Sequence, residues 1–100
     1  MKEKIVSIEK SERANKKYKA IVRSNQNGKQ RVLHFGDKQY GQYRDSTPLK
    51  AYKHKNHFDR KRREQYFLRH SNTKSKAMAL VKERKRGIYT PKLLSHIYLW

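Results

Sequence analysis

The first third of the chain alternates apolar and polar side chains. In residues 17–23 this period-two pattern indicates a strand with one face on a core, and residues 31–35 supply a return strand. Asn27-Gly28 stands between the two segments, and both residue types tolerate the positive φ that tight hairpin turns require. The pattern therefore predicts a β-hairpin.

The first sixteen residues carry a weaker strand signal. Ile5, Val6 and Ile8 lie between charged residues in the segment 4–10, which predicts a short additional strand. The polar residues that follow predict a turn or linker. We therefore divide the chain into an N-terminal strand or arm, residues 1–16, and a small basic α+β domain, residues 17–100.

The second half of the chain predicts short helices. Thr47-Pro48 and Thr90-Pro91 each place an N-cap residue before a proline, an arrangement common at helix starts. The first pair predicts a short helix carrying Leu49 and Tyr52, and the second predicts a final apolar helix that ends at Trp100.

A further helix is predicted between these two. Ala77, Leu80 and Val81 fall on one helical face, with Lys82 away from it. Gly87 follows where a helix commonly ends, because glycine adopts the left-handed conformation of a C-cap without strain.

The longest helix is predicted for residues 57–71. Asn56 is a good N-cap, and Asp59 can complete a capping box. Its first half, Arg60–Arg63, is charged on all sides, whereas the apolar residues of its second half surround the axis. The second half must therefore pack against the rest of the chain or a partner, while the first half contacts water or an anion.

These patterns together predict an α+β fold in one small domain. It consists of an N-terminal β-hairpin, or three strands if residues 4–10 join it, followed by three or four short helices.

The charge of the chain limits its partners. Lys and Arg number 27 against 8 Asp and Glu, which gives a formal net charge of +19 spread along the whole sequence. Such a charge is favourable mainly beside a polyanion: nucleic acid, an acidic protein surface or anionic lipid. Leu, Ile, Val and Phe together number only 19, so we expect a marginal fold that binding completes.

Several classes of site are not indicated. The chain has no Cys, and its five His residues show no metal-ligand spacing. Asp37, Asp45, Asp59 and Glu64 each have a plainer place in a turn or helix than in a nuclease centre. No apolar run approaches the roughly 18 residues of a membrane span. We therefore expect no enzyme, no cofactor, no metal, no membrane contact and no small-molecule substrate.

The basic residues remain as candidate binding groups, with a solvated charged face as the plain alternative. Arg binds phosphates or carboxylates through two parallel hydrogen bonds, and neighbouring aromatic rings can stack on bases. The sequence has no motif for reading specific bases. The candidates for contact with a polyanion or partner are Lys53, Lys55, Arg60, Lys61, Arg62, Arg63, Arg69, Lys82, Lys85 and Arg86.

The apolar C-terminal segment has two interpretations. Its residues can form a core element, or Tyr98 and Trp100 can insert into a neighbouring subunit as partner anchors. The first interpretation is favoured, with partial partner contact through the same residues.

A set of motifs within residues 17–100 has a distinctive spacing. They are Phe35-Gly36-Asp37; Tyr40, Tyr43, Asp45 and Thr47; Asn56-His57 with Asp59; Arg62 or Arg63; Tyr66; Arg69-His70-Ser71; and the closing segment 90–100. This set resembles a family of small basic proteins of large double-stranded DNA viruses and tailed phages, including the crAss-like gut phages. The resemblance implies a viral origin and presence in the virion, without separating the capsid shell from the packaged genome.

Two functions are consistent with these observations. The first is a viral structural protein, an auxiliary or minor capsid protein synthesised in the host cytoplasm, which binds and cements acidic major-capsid or other virion subunits. The alternative is a non-specific nucleic-acid-binding protein that coats or condenses viral DNA. The charge fits both, while the viral resemblance and the apolar segment ending at Trp100 favour the first.

Overall fold

The computed structural model describes residues 1–100 and begins with a three-stranded antiparallel sheet. Strands β1 (Glu3–Lys10), β2 (Lys16–Ser24) and β3 (Gln30–Asp37) lie in the order β1-β2-β3. Three α-helices follow, α1 (Arg60–Ser71), α2 (Lys76–Arg84) and α3 (Pro91–Tyr98), with one 3-10 turn at Lys53–Lys55. The predicted α+β class is confirmed.

The first strand is an integral part of the sheet. Ile5 pairs with Val22 and Ile8 with Ala20, with a register shift between Ile5 and Ser7. The two isoleucines are three positions apart and would face opposite sides of a regular strand. The irregularity restores them to the same side, where both pack on the core.

The hairpin between β2 and β3 is present, but its turn is longer than the two-residue form. The Ser24 amide donates to the Lys29 carbonyl at 2.9 Å, so the intervening residues form a wider loop. Only Gly28, with φ of 72°, uses the left-handed conformation. Asn27 instead stabilises the loop, because its side chain accepts from the Lys29 amide at 3.0 Å.

The main core lies between the sheet and α3. Tyr18, Ala20 and Val22 point to one face of β2, as the alternation predicts, and α3 covers that face with Leu94. A second, smaller cluster forms between α1 and α2. Trp100 packs against both clusters and joins them.

The helix predicted after Thr47-Pro48 does not form. Thr47 does accept a hydrogen bond from the Lys50 amide at 3.1 Å, but Lys50 has φ of 49°, which ends the turn at once. The next amides are taken by long-range partners: Ala51 donates to the Tyr18 hydroxyl at 2.9 Å, and Tyr52 donates to Asp45 at 3.1 Å. Local capping signals are therefore overridden by contacts across the fold.

Helix α1 begins at Arg60, three residues later than predicted. Phe58 has φ of 54° and cannot be helical, so Asp59 rather than Asn56 is the N-cap. The Asp59 carboxylate accepts from the Lys61 amide at 3.0 Å. The predicted third and fourth helices are present as α2 and α3, and Thr90 caps α3 as expected.

Candidate anion-binding cleft

A half-open cleft of about 560 Å³ lies where the ends of β2 and β3 meet α1 and α3. Its cationic side chains come from three separate parts of the chain: Lys16, Lys17, Arg62, Arg69 and Lys92. Asp37 is the one acidic residue of the lining. The cleft is therefore strongly positive.

One face of α1 supplies the free cations of the cleft. Arg62, Tyr66 and Arg69 are four and three positions apart, so they lie on the same side of the helix. The rise of about 1.5 Å per residue separates the two arginines by roughly 10 Å along the axis. Neither arginine forms an ion pair within the chain, and both are exposed. Both guanidinium groups are therefore available to an anionic ligand.

The interior of the cleft is apolar and aromatic. Phe35 and Leu99 lie there, each 1 % exposed, beside the half-buried Trp100. The Trp100 ring stacks on Tyr66 with centroids 4.3 Å apart and planes inclined by 8°, and its centroid lies 5.3 Å from that of His57. These rings form a rigid wall that holds α1 against the C-terminal segment.

Gly36 permits the close packing at this wall. It has φ of 80°, and a Cβ atom there would lie 2.9 Å from Cδ1 of Leu99. Any side chain at this position would displace Leu99 or Lys17. The Phe35-Gly36-Asp37 motif therefore has a structural reason to place glycine in the middle.

Lys17 positions the rim of the cleft. Although it is only 1 % exposed, its Nζ donates to the Tyr40 carbonyl at 2.8 Å and to Oε1 of Gln42 at 2.5 Å. Burial, with a smaller contribution from the nearby Lys55, lowers the pKa of Lys17 to about 8. Because its donors are engaged, Lys17 fixes the loop after β3 over the sheet instead of offering a free charge.

Asp45 stabilises the next part of the loop after β3. Its buried carboxylate accepts from the Tyr18 hydroxyl at 2.5 Å, the Thr47 hydroxyl at 2.6 Å and the backbone amides of Thr47 and Tyr52. Burial alone would raise the pKa of Asp45, but the hydrogen bonds from Thr47 and Tyr18 outweigh it and the pKa is lowered. Burial, together with Asp45, raises the pKa of Tyr18 to about 12. Asp45 is therefore a structural residue.

A buried polar chain lies behind the aromatic wall. Nδ1 of His96 lies 2.9 Å from the Tyr66 hydroxyl, and Nε2 lies 2.8 Å from the Ser71 hydroxyl. Ser71 also donates to Glu83 at 3.5 Å. Burial lowers the pKa of His96 to about 4 and raises the pKa of Tyr66. The imidazole is thus held neutral while it joins α1 to α3.

The ten predicted cations do not form one surface. Arg62 and Arg69 line the cleft, whereas the others lie outside it on the 3-10 turn, on α1 and around α2. Three of these others are engaged within the chain. The Arg63 guanidinium lies 4.4 Å from the centroid of the Tyr43 ring, Lys55 donates to the Lys38 carbonyl, and Lys82 donates to the Ser71 carbonyl at 2.8 Å. The remaining predicted residues, which are exposed and form no ion pair in the chain, are Lys53, Arg60, Lys61, Lys85 and Arg86.

The two predicted partner anchors pack within the fold. Tyr98 lies 6.1 Å from Phe35 between ring centroids, and Trp100 belongs to the wall described above. Both residues remain partly exposed. The core interpretation of the C-terminal segment thus describes its packing, and partner contact through the exposed parts stays a prediction.

Other residues of the cleft were not among the predicted cations. Lys16, Lys17 and Lys92 line it, together with His70. They are brought near Arg62 because α3 packs on the sheet while α1 packs on α2 and on Trp100, so no local pattern links them. The resemblance motifs gave the better signal, because Phe35-Gly36-Asp37, Tyr66, Arg69-His70 and Trp100 all converge on this cleft.

The structure contains no group of three or more His, Asp or Glu side chains that could hold a metal ion. None of its helices has both the length and the apolar character needed to span a membrane. No protein-family model, curated protein or solved structure matches the chain.

Proposed function

We propose that this protein is a non-catalytic structural component of a virus particle, an auxiliary or minor capsid protein that binds and cements acidic capsid subunits. One observation carries the proposal. Of the 27 Lys and Arg residues, only Lys19, Arg31 and Lys92 form ion pairs within the chain, which leaves 24 without an acidic partner. A folded domain with this many unneutralised cations is stabilised by a polyanionic surface.

The distribution of apolar side chains favours a protein as that surface. Phe58, Leu68, Met78 and Val81 are each about half exposed on or beside the cationic helices α1 and α2. Protein interfaces bury apolar side chains together with arginines, so an acidic protein can cover both kinds of group. A duplex contacted through its phosphates offers no comparable apolar surface.

The alternative function is non-specific binding of viral nucleic acid. It is favoured by the start of α1, where Arg60, Lys61 and Arg62 are consecutive and exposed. Such a group can neutralise backbone phosphates regardless of base sequence. The viral setting in both functions comes from the resemblance of the motifs, and the site of action would be the virion capsid.

The decisive experiment separates the shell from the genome. Purified particles should contain the protein at stoichiometric copy number by mass spectrometry, and particles emptied of DNA should retain it at physiological salt. A variant with Ser at positions 60–63 should be lost from the emptied shells. A control with Ser at the exposed positions Lys4, Arg13, Lys29 and Lys74 removes the same charge elsewhere and should be retained.

Three outcomes would contradict the proposal. Release of the wild-type protein together with the genome would favour the nucleic-acid function. Absence from virions, or metal-dependent nuclease activity that Asp59→Ala abolishes, would reject both. Binding to DNA at low salt decides nothing, because any polycation binds DNA under those conditions.

A further inference from the structure

The cleft combines two features that seldom occur together on this surface. Its interior is built from Phe35, Leu99 and Trp100, while its rim carries Arg62 and Arg69. Elsewhere the cations without an ion pair are spread over strands, helices and loops outside this cleft. The cleft therefore fits a ligand with an apolar part to bury and negative charges on either side of it.

The size of the cleft limits that ligand. A volume of about 560 Å³ falls within the range of pockets that enclose a small molecule or a few side chains. The separation of roughly 10 Å between the two arginines along α1 allows each to bind a different anionic group. A short peptide segment with an apolar residue between acidic ones meets both requirements.

The aromatic rings of the wall are less suited to a nucleotide base. Trp100 is stacked on Tyr66 and packed against His57, and Tyr66 also contacts His70 at a centroid distance of 4.6 Å. Base recognition in single strands relies on aromatic faces that are free to stack. In this cleft the faces of Trp100 and Tyr66 are used to hold the fold together, and Tyr40, which is 65 % exposed, is the lining ring that is free to stack. A single free ring gives little stacking surface for successive bases, so an inserted aliphatic or aromatic side chain is the better fit.

We propose that this cleft binds an acidic peptide segment of the partner subunit. An apolar side chain of the segment inserts against the accessible part of Trp100, and flanking Asp or Glu carboxylates form paired hydrogen bonds with Arg62 and Arg69. The inference rests on the proposed function, because it takes the partner to be an acidic protein. Asp37 lies beside Lys16, its partner in the pairing of β2 with β3, and disfavours a further carboxylate at that point, which gives the bound segment one preferred position.

The intrinsic fluorescence of the protein can be used to measure this binding. Trp100 is the single tryptophan of the chain and lines the cleft, so its fluorescence responds to a ligand there and not to ions bound elsewhere. The probes are three compounds of equal charge: the blocked pentapeptide Asp-Glu-Phe-Glu-Asp, its counterpart with Ser in place of Phe, and a five-nucleotide oligothymidylate. Titrations are run at physiological salt to suppress non-specific attraction.

The Phe peptide should change the Trp100 emission and bind at least about tenfold more tightly than the Ser peptide, because only it buries an apolar side chain. The double variant Arg62→Ser/Arg69→Ser should weaken its binding at least about tenfold. The matched double variant Arg60→Ser/Lys61→Ser removes the same charge from the same helix outside the cleft and should change binding less than about threefold. All four positions are exposed, so both variants should keep the fold.

Three results would overturn the inference. An equal loss of affinity for the Phe peptide in the two double variants would show that general electrostatic attraction, and not the cleft, causes the binding. Equal binding of the Phe and Ser peptides would show that the apolar interior takes no part. Tighter binding of the oligothymidylate, lost on Arg62→Ser/Arg69→Ser, would identify the cleft as a nucleic-acid site.

This test is independent of the particle experiment. If the cleft binds the Phe peptide while wild-type protein leaves the shell with the genome, the proposed function fails and the cleft remains a peptide site. If emptied shells retain the wild type and the Arg62→Ser/Arg69→Ser variant equally, the cleft inference fails and the proposed function stands.

Discussion

The sheet half and the helical half of this molecule are built differently. Between the sheet and α3, six residues form one buried apolar cluster, and a buried carboxylate, Asp45, fastens the adjoining loop. Between α1 and α2 the buried apolar cluster contains only Tyr66, Phe67 and Ala79. The sheet half therefore carries most of the stability, while the helical half presents the cations with little core beneath them.

The two halves meet where the C-terminal segment packs against α1, and this contact region is called the joint below. Trp100 packs against both apolar clusters, and His96 of α3 is hydrogen-bonded to Tyr66 and Ser71 of α1. A ligand in the cleft adds contacts between the two halves and stabilises the helical half, since the cleft is bounded by both halves.

The largest effect is expected at Asp45, in the sheet half. Asp45→Ala removes the acceptor of four hydrogen bonds and leaves the buried Tyr18 hydroxyl without that partner. We expect a loss of about 3–5 kcal/mol in the free energy of unfolding, measured by urea denaturation. The control Asp37→Ala, at an exposed carboxylate, should cost about 1 kcal/mol or less. Similar losses at the two positions would contradict the assignment of stability to the Asp45 network.

The second effect is a pH dependence of the joint. The pKa of His96 is lowered to about 4, so below its ordinary value of 6.5 the unfolded chain binds a proton that the folded chain does not. Stability is therefore complete above about pH 6.5, falls as the pH decreases towards 4, and loses nothing further from this group below that. The total loss from His96 is of the order of 3 kcal/mol.

Urea denaturation between pH 7 and pH 4 measures this effect. Other groups near the ring belong to α1, α2 and α3: Glu83 favours protonation of His96, whereas His70, Lys92 and Lys76 oppose it. His96→Gln should flatten the pH dependence, whereas His54→Gln, at an exposed ring, should leave it unchanged. An unchanged slope in His96→Gln would mean that another group is responsible.

The third effect concerns the aromatic wall. Trp100→Ala removes the ring stacked on Tyr66, and because Trp100 is only half-buried we expect a loss of about 2 kcal/mol. Trp100→Phe should recover about half of this loss. Hydrogen exchange should show that the amides of α1 and α2 lose more protection than those of β2. Uniform loss of protection across the chain would contradict a separate helical half.

The success of sequence-based prediction differs between the same two halves. The strands were predictable because period-two alternation in β2 is a local signal, and Thr90-Pro91 marked α3 for the same reason. The signal at Thr47-Pro48 failed, since the amides after it bind Tyr18 and Asp45 from distant segments. Helix α1 starts later than predicted because Phe58 takes a left-handed conformation, which no sequence pattern indicates.

The cleft was predictable only in part. Charge alone selected Arg62 and Arg69, but it selected eight other cations with equal weight. What distinguishes the two arginines is that they share a cleft with Lys16 and Lys92, which depends on how α3 packs on the sheet and how α1 packs on α2 and Trp100. Tertiary packing of this kind leaves no periodicity in the sequence, so only the folded structure identifies the cleft.

The smallest effect is expected from anions in solution, and it links the charged half to the cleft. Sulfate binds arginine through paired hydrogen bonds and also screens the repulsion among 24 unpaired cations, whereas chloride at equal ionic strength mainly screens. Both salts should raise Tm, and sulfate should add about 4–8 °C beyond chloride if binding contributes about 1 kcal/mol. The Arg62→Ser/Arg69→Ser variant should lose most of this extra increment, while Arg60→Ser/Lys61→Ser should keep it, because only the first pair faces a shared cleft. If both variants lose the extra rise in Tm equally, sulfate acts through the overall charge of α1 and not through the cleft. A Tm above about 90 °C that does not depend on salt would instead show that the fold needs no partner for its stability.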